Sequence, residues 1–223
     1  MAWITRPGVF IAQIEDDLIF LDLDADAYSC IPCDPGDAVL ADDHLLISAT
    51  GLTMVLEAAG LIQQLDDAAE RRQRPRTPRP VADLIDPQAS RPRLAFRHLA
   101  LMLGAWWDVC TQYYGRPVSS LVRTVTRERK TVPTKPASPA QAAEVLRLAQ
   151  AFSTLLPWIP FQGECLFQAF MLVRFLQRAG LQADWVFGVR TWPFHAHCWV
   201  QLGELVLNDA ADRLTAFTPI MVA

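Results

Sequence analysis

Residues 163–209 have the clearest pattern in the chain, and they read GECLFQAFMLVRFLQRAGLQADWVFGVRTWPFHAHCWVQLGELVLND. The apolar run that begins at Cys165 predicts a helix that ends before Gly180, a residue type favoured just after helices. Three strand-like segments follow, at 183–189, 196–201 and 205–208. This order predicts a cysteine at the start of a helix, followed by a small antiparallel sheet.

The position of Cys165 suits a nucleophile, because the dipole and the unpaired N–H groups of a helix N-terminus favour a thiolate over a thiol. A nucleophilic cysteine also needs an imidazole and a third group that orients the ring. Two of the four histidines, His195 and His197, lie on one predicted strand. Asp209 ends the next strand, and antiparallel pairing would place it beside His197. The spacing therefore suggests a triad of Cys165, His197 and Asp209.

The residues alone leave alternatives open. A free cysteine is often part of the core, and His195 shares strand parity with His197. For the oxyanion, the backbone N–H of Cys165 is the expected donor. Gln162 is a conceivable side-chain donor that we do not favour.

The order of these motifs resembles the transglutaminase-like (papain-like) cysteine peptidase superfamily. It is more closely similar to the B proteins of lasso peptide biosynthesis, which are leader peptidases. The motifs lie within residues 160–212 and are Glu164-Cys165-Leu166, Leu176-Gln177-Arg178-Ala179-Gly180-Leu181, Val186-Phe187-Gly188-Val189, Pro193-Phe194-His195-Ala196-His197-Cys198-Trp199-Val200 and Val206-Leu207-Asn208-Asp209. The resemblance implies Cys165, His197 and Asp209 as the catalytic triad, because His197 matches the His-x-Trp pattern. Cys198 stands where the family has a small residue.

The first 65 residues form an acidic module with 11 acidic residues and one base, Arg6. Apolar runs predict strands at 9–14, 18–22 and 27–31. Helices are predicted at 38–47 and 52–59, and Gly60 follows the second. Phosphate contacts require Lys and Arg, so this charge excludes nucleic acid as a partner.

The resemblance implies that the acidic module is a precursor-recognition element, a small winged helix-turn-helix-like unit. Such a unit binds the leader peptide as an added strand at the edge of its third strand. The expected leader-binding residues are Tyr28, Ser29, Cys30, Val55 and Leu56. Core packing is the alternative interpretation of these residues.

The predicted fold class is α+β, with three parts: the precursor-recognition element at 1–65, a linker at 66–93 and the peptidase domain at 94–223. Residues 71–97 contain eight arginines, and five prolines between 66 and 93 oppose regular structure. In the peptidase domain, further helices are predicted at 94–110, 118–130 and 139–155, the last capped by Ser138.

The composition of the 223 residues, 52% hydrophobic and 20% charged, excludes a disordered or fibrous protein. No secretory signal or transmembrane segment is visible, which predicts a cytoplasmic protein. Five irregularly spaced cysteines predict free thiols in a reducing compartment. Cys30-Ile31-Pro32-Cys33 has no matching second pair for zinc and ends a strand, so we predict no metal or redox site there.

These features predict a cysteine endopeptidase, a hydrolase that removes the leader from a lasso precursor peptide. The resemblance implies a lasso macrolactam synthetase as partner. The chain has no P-loop motif, so the ATP that maturation uses is assigned to that partner, and no cofactor is expected on this chain. Two alternatives remain: acyl transfer to an amine, as in transglutaminases, and a non-catalytic peptide-binding chaperone.

Overall fold

A computed structural model describes residues 2–41, 44–47, 50–64, 80, 82–83, 92–129, 138–160 and 163–223, which form an α+β fold. The strands are β1 (Ala2–Thr5), β2 (Val9–Ile14), β3 (Asp17–Asp22), β4 (Ala27–Ile31), β5 (Ala38–Ala41), β6 (His44–Ile47), β7 (Ile62–Gln64), β8 (Ala82–Asp83), β9 (Asp184–Arg190), β10 (His195–Leu202), β11 (Leu205–Val206) and β12 (Thr218–Val222). The helices are α1 (Thr50–Ala58), α2 (Phe96–Gln112), α3 (Val118–Arg129), α4 (Pro139–Leu155), α5 (Cys165–Arg178) and α6 (Ala211–Leu214). None of the described helices is long and apolar enough to cross a bilayer.

The acidic module contains the three predicted strands, which form the antiparallel sheet β2-β3-β4. Both faces of β3 are buried, because side chains alternate along a strand and each face meets a different core. Ile19 and Leu21 belong to the main hydrophobic core, which consists mostly of residues of the C-terminal unit (residues 94–223). Leu18 and Phe20 belong to a small core within the module. The module and the C-terminal unit are therefore joined through β3.

The helix predicted at 38–47 is wrong: the chain forms strands β5 and β6 there, in a second sheet of order β5-β6-β1-β7. The backbone is satisfied by partners distant in sequence. The side chain of Gln13 donates to the carbonyl of Ala38 and accepts from the N–H of Leu40, over 3.2 and 2.8 Å. A short apolar run fits either helix or strand locally, and these contacts decide for the strand.

The helix predicted at 52–59 is confirmed as α1, and Gly60 follows it with φ +68°. Within residues 2–41, 44–47 and 50–64, α1 is the only helix. The winged helix-turn-helix arrangement is therefore not confirmed.

The predicted linker contains a strand that the sequence did not indicate. Ala82–Asp83 pairs in parallel with Leu205–Val206, and the N–H of Ala82 donates to the carbonyl of Glu204 over 3.3 Å. The expectation of no regular structure at 66–93 is thus wrong at β8, because the open edge of β11 offers backbone partners. Residues 66–79, 81 and 84–91 lie outside the described residues.

The C-terminal unit packs α2, α3 and α4 around α5, which lies on a sheet of order β12-β9-β10-β11-β8. The three further helices and their approximate bounds are confirmed. Ser138 caps α4: its Oγ accepts from the N–H of Gln141 over 3.3 Å, and the Gln141 side chain accepts from the N–H of Ser138 over 3.0 Å. Strand β12 and helix α6 were not predicted.

A buried ion cluster ties α2 to α5. Asp108 Oδ2 accepts from Arg174 Nε over 3.0 Å and from Arg178 Nε over 2.8 Å. Arg174 also pairs with Glu128 of α3 over 2.6 Å. Burial alone would raise the pKa of Asp108, but the hydrogen bonds and charges of the two arginines outweigh it and lower the pKa.

Candidate active site

Cys165 is the first residue of α5, as predicted, and its side chain is half-buried. Glu164, with extended backbone angles, is the N-cap residue, and its carbonyl accepts the N–H of Gln168 over 3.1 Å. The first N–H groups of a helix have no acceptor within the helix. The sulfur and the N–H of Cys165 therefore both lie at the positive end of α5. Gln162 lies outside the described residues.

The structure brings the three candidate triad residues together. His197 lies on β10, and its Nε2 is 2.5 Å from Oδ2 of Asp209. Cys165 also interacts with the ring, as a hydrogen-bonding group and as a nearby negative charge, and both effects favour the protonated imidazole. The rings of Trp199 and Phe217 lie 6.3 and 5.4 Å from the imidazole. A sulfur, an imidazole and a carboxylate thus stand in the order that nucleophilic catalysis requires.

His195, the competing imidazole, has a different environment. Its side chain is exposed and its ring lies 5.9 Å from that of Phe217. It shares a face of β10 with His197 but lies two residues away, about 7 Å along the strand. The imidazole that Asp209 contacts is therefore that of His197.

The segment after β11 holds Asp209 in place. The N–H of Val200 donates to the side-chain oxygen of Asn208 over 2.7 Å, which anchors this segment to β10. The N–H of Ala210 donates to Oδ1 of Asp209 over 2.7 Å, and Arg213 Nη1 lies 3.3 Å from the same oxygen. Oδ1 is therefore occupied, and Oδ2 faces His197.

The surroundings of Cys165 lower the pKa of its thiol from 9.0 to about 4. The largest cause is a hydrogen bond from the side chain of Cys198, followed by one from His197, while burial acts in the opposite direction. Cys198 is buried, and its bond to the Cys165 sulfur together with burial raises its own pKa well above 9.0. Cys198 therefore remains a thiol and donates to the thiolate of Cys165.

The partners of His197 raise its pKa from 6.5 to about 9, mainly through the hydrogen bond to Asp209 and then that to Cys165. Burial would raise the pKa of Asp209, but the bonds from His197 and the Ala210 N–H outweigh it and lower the pKa. Between pH 4 and 9 the pair is consequently a thiolate and an imidazolium.

A cavity of about 230 Å³ opens at the sulfur and is lined by Cys165, Gln168, His197, Cys198, Asn208, Asp209 and Arg213. Sequence reasoning did not single out three of its polar residues, Gln168, Asn208 and Arg213. Helical spacing offered a signal for Gln168, three residues after Cys165, and for Arg213, four residues after Asp209. A larger cavity of about 470 Å³, lined by residues that include Arg97, Glu144 and Arg178, shares none of these residues and contains no thiol or triad imidazole.

The predicted leader-binding residues have unequal surroundings. Ser29 and Cys30 on β4 are exposed, and Val55 on α1 is 59% exposed. Tyr28 is half-buried and packs against the main core. Leu56 is 0% exposed within the small core, so its assignment to a peptide-binding surface is at odds with the structure. Leader binding by the exposed residues stays a prediction.

The Cys30-Ile31-Pro32-Cys33 segment spans the end of β4, whose last residue is Ile31, as the sequence predicted. All five cysteines are free thiols. Cys33 Sγ donates to the carbonyl of Ile31 over 3.5 Å. Burial is the main cause that raises the pKa of both Cys30 and Cys33, which makes them less reactive than Cys165.

Comparison with known proteins gives two matches. Residues 115–222, which include Cys165, His197 and Asp209, match the transglutaminase-like superfamily. A segment of 63 residues is 40% identical to the microcin J25-processing protein McjB of Escherichia coli, and it covers 27% of this chain and 30% of that relative. The match thus spans less than a third of the curated relative. No solved structure matches the chain significantly.

Proposed function

We propose that this protein is a cysteine endopeptidase of lasso peptide biosynthesis, which removes the leader from a ribosomally made precursor. The observation that carries the proposal is the contact chain from Cys165 to His197 to Asp209, in which Nε2 and Oδ2 are 2.5 Å apart. The transglutaminase-like match over residues 115–222 supports the class of chemistry.

The acylation step uses the ion pair directly. The Cys165 thiolate attacks the scissile carbonyl, and the N–H of Cys165 at the start of α5 is the nearest backbone donor for the oxyanion. As the intermediate collapses, the C–N bond breaks and the His197 imidazolium gives its proton to the leaving amine. The product of this step is a thioester on Cys165 and a neutral imidazole.

The deacylation step returns the enzyme to its starting state. Neutral His197 takes a proton from water, the hydroxide attacks the thioester, and the C–S bond breaks to release the thiolate and the carboxylic acid. Asp209 holds the ring so that Nδ1 faces the sulfur, and it stabilises the imidazolium in both steps.

The acidic module is the proposed site for the leader. Within the described residues β4 is the edge strand of the sheet β2-β3-β4, so its outer N–H and C=O groups are open to an added strand. Ser29 and Cys30 are exposed beside this edge. The excess of acidic over basic residues at 1–65 favours a leader that carries basic side chains.

The name of the Escherichia coli relative, a microcin J25-processing protein, supports a peptide substrate for this chain. By the same relationship we propose a lasso macrolactam synthetase as the partner that binds ATP, and the cytoplasm as the place of action. This chain would then supply the cut end that the partner joins.

The proposal is tested by incubating the full chain and its Cys165→Ala variant with the precursor, with and without the synthetase. Mass spectrometry should show a free leader with the wild type and none with Cys165→Ala. Cys110→Ala, which removes another accessible thiol on α2, is the matched control and should cleave normally. Cleavage by Cys165→Ala would contradict the mechanism. A product whose mass shows an amine joined to the acyl group would indicate acyl transfer instead of hydrolysis. A Cys165 thiol that does not react with iodoacetamide would indicate a non-catalytic chaperone.

A further inference from the structure

The acidic module contacts the C-terminal unit at the turn between β9 and β10. In this turn the indole N–H of Trp192 donates to Oδ2 of Asp17 over 2.9 Å. The ring of Phe194 lies 5.6 Å from that of Tyr28, with 57° between the ring planes. Asp17 and Tyr28 belong to β3 and β4, so the N-terminal sheet holds the turn that leads directly into His195 and His197.

The strand pairing shows which face of β4 is turned towards the C-terminal unit. Tyr28 is opposite Leu21 and Cys30 is opposite Ile19. Leu21 and Ile19 belong to the main core, and side chains on one face of a sheet alternate along each strand. Tyr28 and Cys30 therefore share the face that meets the catalytic unit, and Ser29 lies on the opposite face.

Tyr28 is close enough to the reactive sulfur to be affected by its charge. Burial raises the pKa of the Tyr28 phenol most, and the negative charge of the Cys165 thiolate raises it further. Tyr28, Cys165 and Ala196 also pack against the same main core. The phenol is thus a protonated, half-buried ring on the face of β4 that meets the main core, in contact with Phe194 and within reach of the charge on Cys165.

We propose that Tyr28 and Phe194 determine substrate specificity, their rings forming an aromatic wall beside Cys165 that packs against an apolar side chain of the precursor near the scissile bond. This inference rests on the proposed function. Phe194 is 45% exposed although it contacts Tyr28, so part of the wall is open to a ligand. The cavity at the sulfur is lined by polar residues such as Gln168, Asn208 and Arg213 and not by Tyr28 or Phe194, so the aromatic wall would offer a bound peptide an apolar contact outside this cavity.

Strand β4 would then act twice on one peptide. A leader that adds to its outer edge runs beside Tyr28, and alternate side chains of that leader are turned to the same face as Tyr28. Backbone hydrogen bonds at the edge supply sequence-independent affinity, and the aromatic wall selects a side chain. The acidic module thereby becomes part of the catalytic cleft as well as a holder of the leader.

The test uses a set of precursors in which Leu or Ser is placed, one position at a time, at the two residues before and the two residues after the cleavage site. Wild type should prefer Leu at one position by about tenfold in kcat/KM, the size of one well-packed apolar contact. Tyr28→Phe keeps the ring and should keep the preference. Tyr28→Ala and Phe194→Ala should reduce it to about twofold or less. Phe96→Ala, which removes an exposed ring at the start of α2, is the control and should behave as wild type.

A second measurement separates this proposal from the proposed function. Cys165 is alkylated with iodoacetamide or with N-benzyliodoacetamide, and the ratio of the two rates is compared between variants that melt cooperatively. Tyr28→Ala or Phe194→Ala should lose the relative preference for the benzyl reagent, whether or not the precursor is cleaved. Normal cleavage with an unchanged Leu preference in both Ala variants would overturn the aromatic wall and leave the peptidase standing. If the precursor is not cleaved but the ratio of the two alkylation rates still depends on Tyr28 and Phe194, the aromatic wall is supported and the proposed peptidase is contradicted.

Discussion

His197 and Gly188 lie directly opposite each other on strands β10 and β9. A Cβ on Gly188 would be 2.7 Å from Cζ3 of Trp199, which is closer than Cβ atoms approach other atoms, and 3.2 Å from Cβ of Phe217, which is tighter than most such contacts. The rings of Trp199 and Phe217 both contact the His197 ring. The missing side chain at Gly188 therefore lets two aromatic rings close around the imidazole of His197.

Gly188→Ala should displace these rings and shift His197. Overpacking of this kind costs about 1–3 kcal/mol in the free energy of unfolding. We also expect kcat to fall by at least about tenfold, because a displaced imidazole misses the sulfur. Urea unfolding and kcat/KM measure the two effects. Gly51→Ala, where nothing lies within 4 Å of the new methyl group, is the control and should not lose stability. Equal behaviour of the two variants would contradict this packing argument.

The pH profile of kcat/KM should be bell-shaped with limbs near 4 and 9. The pKa of Cys165 is lowered to about 4, so the rate rises as the thiolate forms with increasing pH. The pKa of His197 is raised to about 9, so the rate falls above it as the general acid loses its proton. In His197→Ala, the pH dependence of iodoacetamide alkylation should move towards the ordinary thiol range of about 8.5. A wild-type thiol that titrates in that ordinary range would contradict the ion pair.

Asp209→Asn should lower kcat by about 10²–10⁴-fold and change KM little. The amide cannot stabilise the imidazolium, and its geometry no longer fixes which ring nitrogen faces the sulfur. Steady-state kinetics with the precursor measures the loss, and the upper pH limb should also move below 9. Asp212→Asn, three residues later and exposed on α6, is the control and should stay within about twofold of wild type. A comparable loss in both variants would point to a general charge effect.

Asp108→Asn should lower the free energy of unfolding by about 3 kcal/mol, because buried Arg174 would lose one of its two carboxylate partners and keep only the more exposed Glu128. The folded pKa of Asp108 is lowered, so its contribution is complete above its unfolded pKa of about 3.9 and is lost as pH falls through the folded value. Urea unfolding at neutral and acidic pH should show the difference from wild type shrinking in acid. Glu144→Gln, whose carboxylate pairs with Arg97 and Arg147 in a more exposed setting, should cost less than about 1 kcal/mol. If the difference in the free energy of unfolding between wild type and Asp108→Asn stayed the same in acid, the lowered pKa of Asp108 would be contradicted.

The catalytic half was predictable because its local signals agree with its packing. The apolar period of α5 starts at Cys165, its end is marked by Gly180, and β9 and β10 are short runs rich in apolar and aromatic residues. These signals suggested Cys165, His197 and Asp209 as a triad, and the His-x-Trp pattern of the family resemblance favoured His197 over His195. Strand β12 was missed because Thr218–Val222 begins with Thr-Pro and its pairing with β9 depends on the tertiary fold.

The acidic module was predicted less well because its structure depends on remote partners. The segment at 38–47 forms strands because the side chain of Gln13 and strand β1 supply its hydrogen-bond partners. No local sequence pattern reveals these partners. Tyr28 was predicted to bind the leader, and only the docking of the sheet β2-β3-β4 on the C-terminal unit shows that its ring packs against the main core and contacts Phe194. The unbroken apolar run of β3 places apolar side chains on both faces of the strand, and this was the available sign that two cores meet there.

Strand β8 sets where the gene could be divided into two separately expressed polypeptides. Ala82–Asp83 pairs with β11, the strand that leads to Asp209. A division before Pro80 keeps this strand with the catalytic fragment, whereas a division after Asp83 takes the outer neighbour of β11 away with the other fragment. With either division, the two fragments must associate before the face of β3 that carries Ile19 and Leu21 is buried again in the main core. Complementation in trans should therefore succeed at micromolar concentrations with the first division and need higher concentrations with the second.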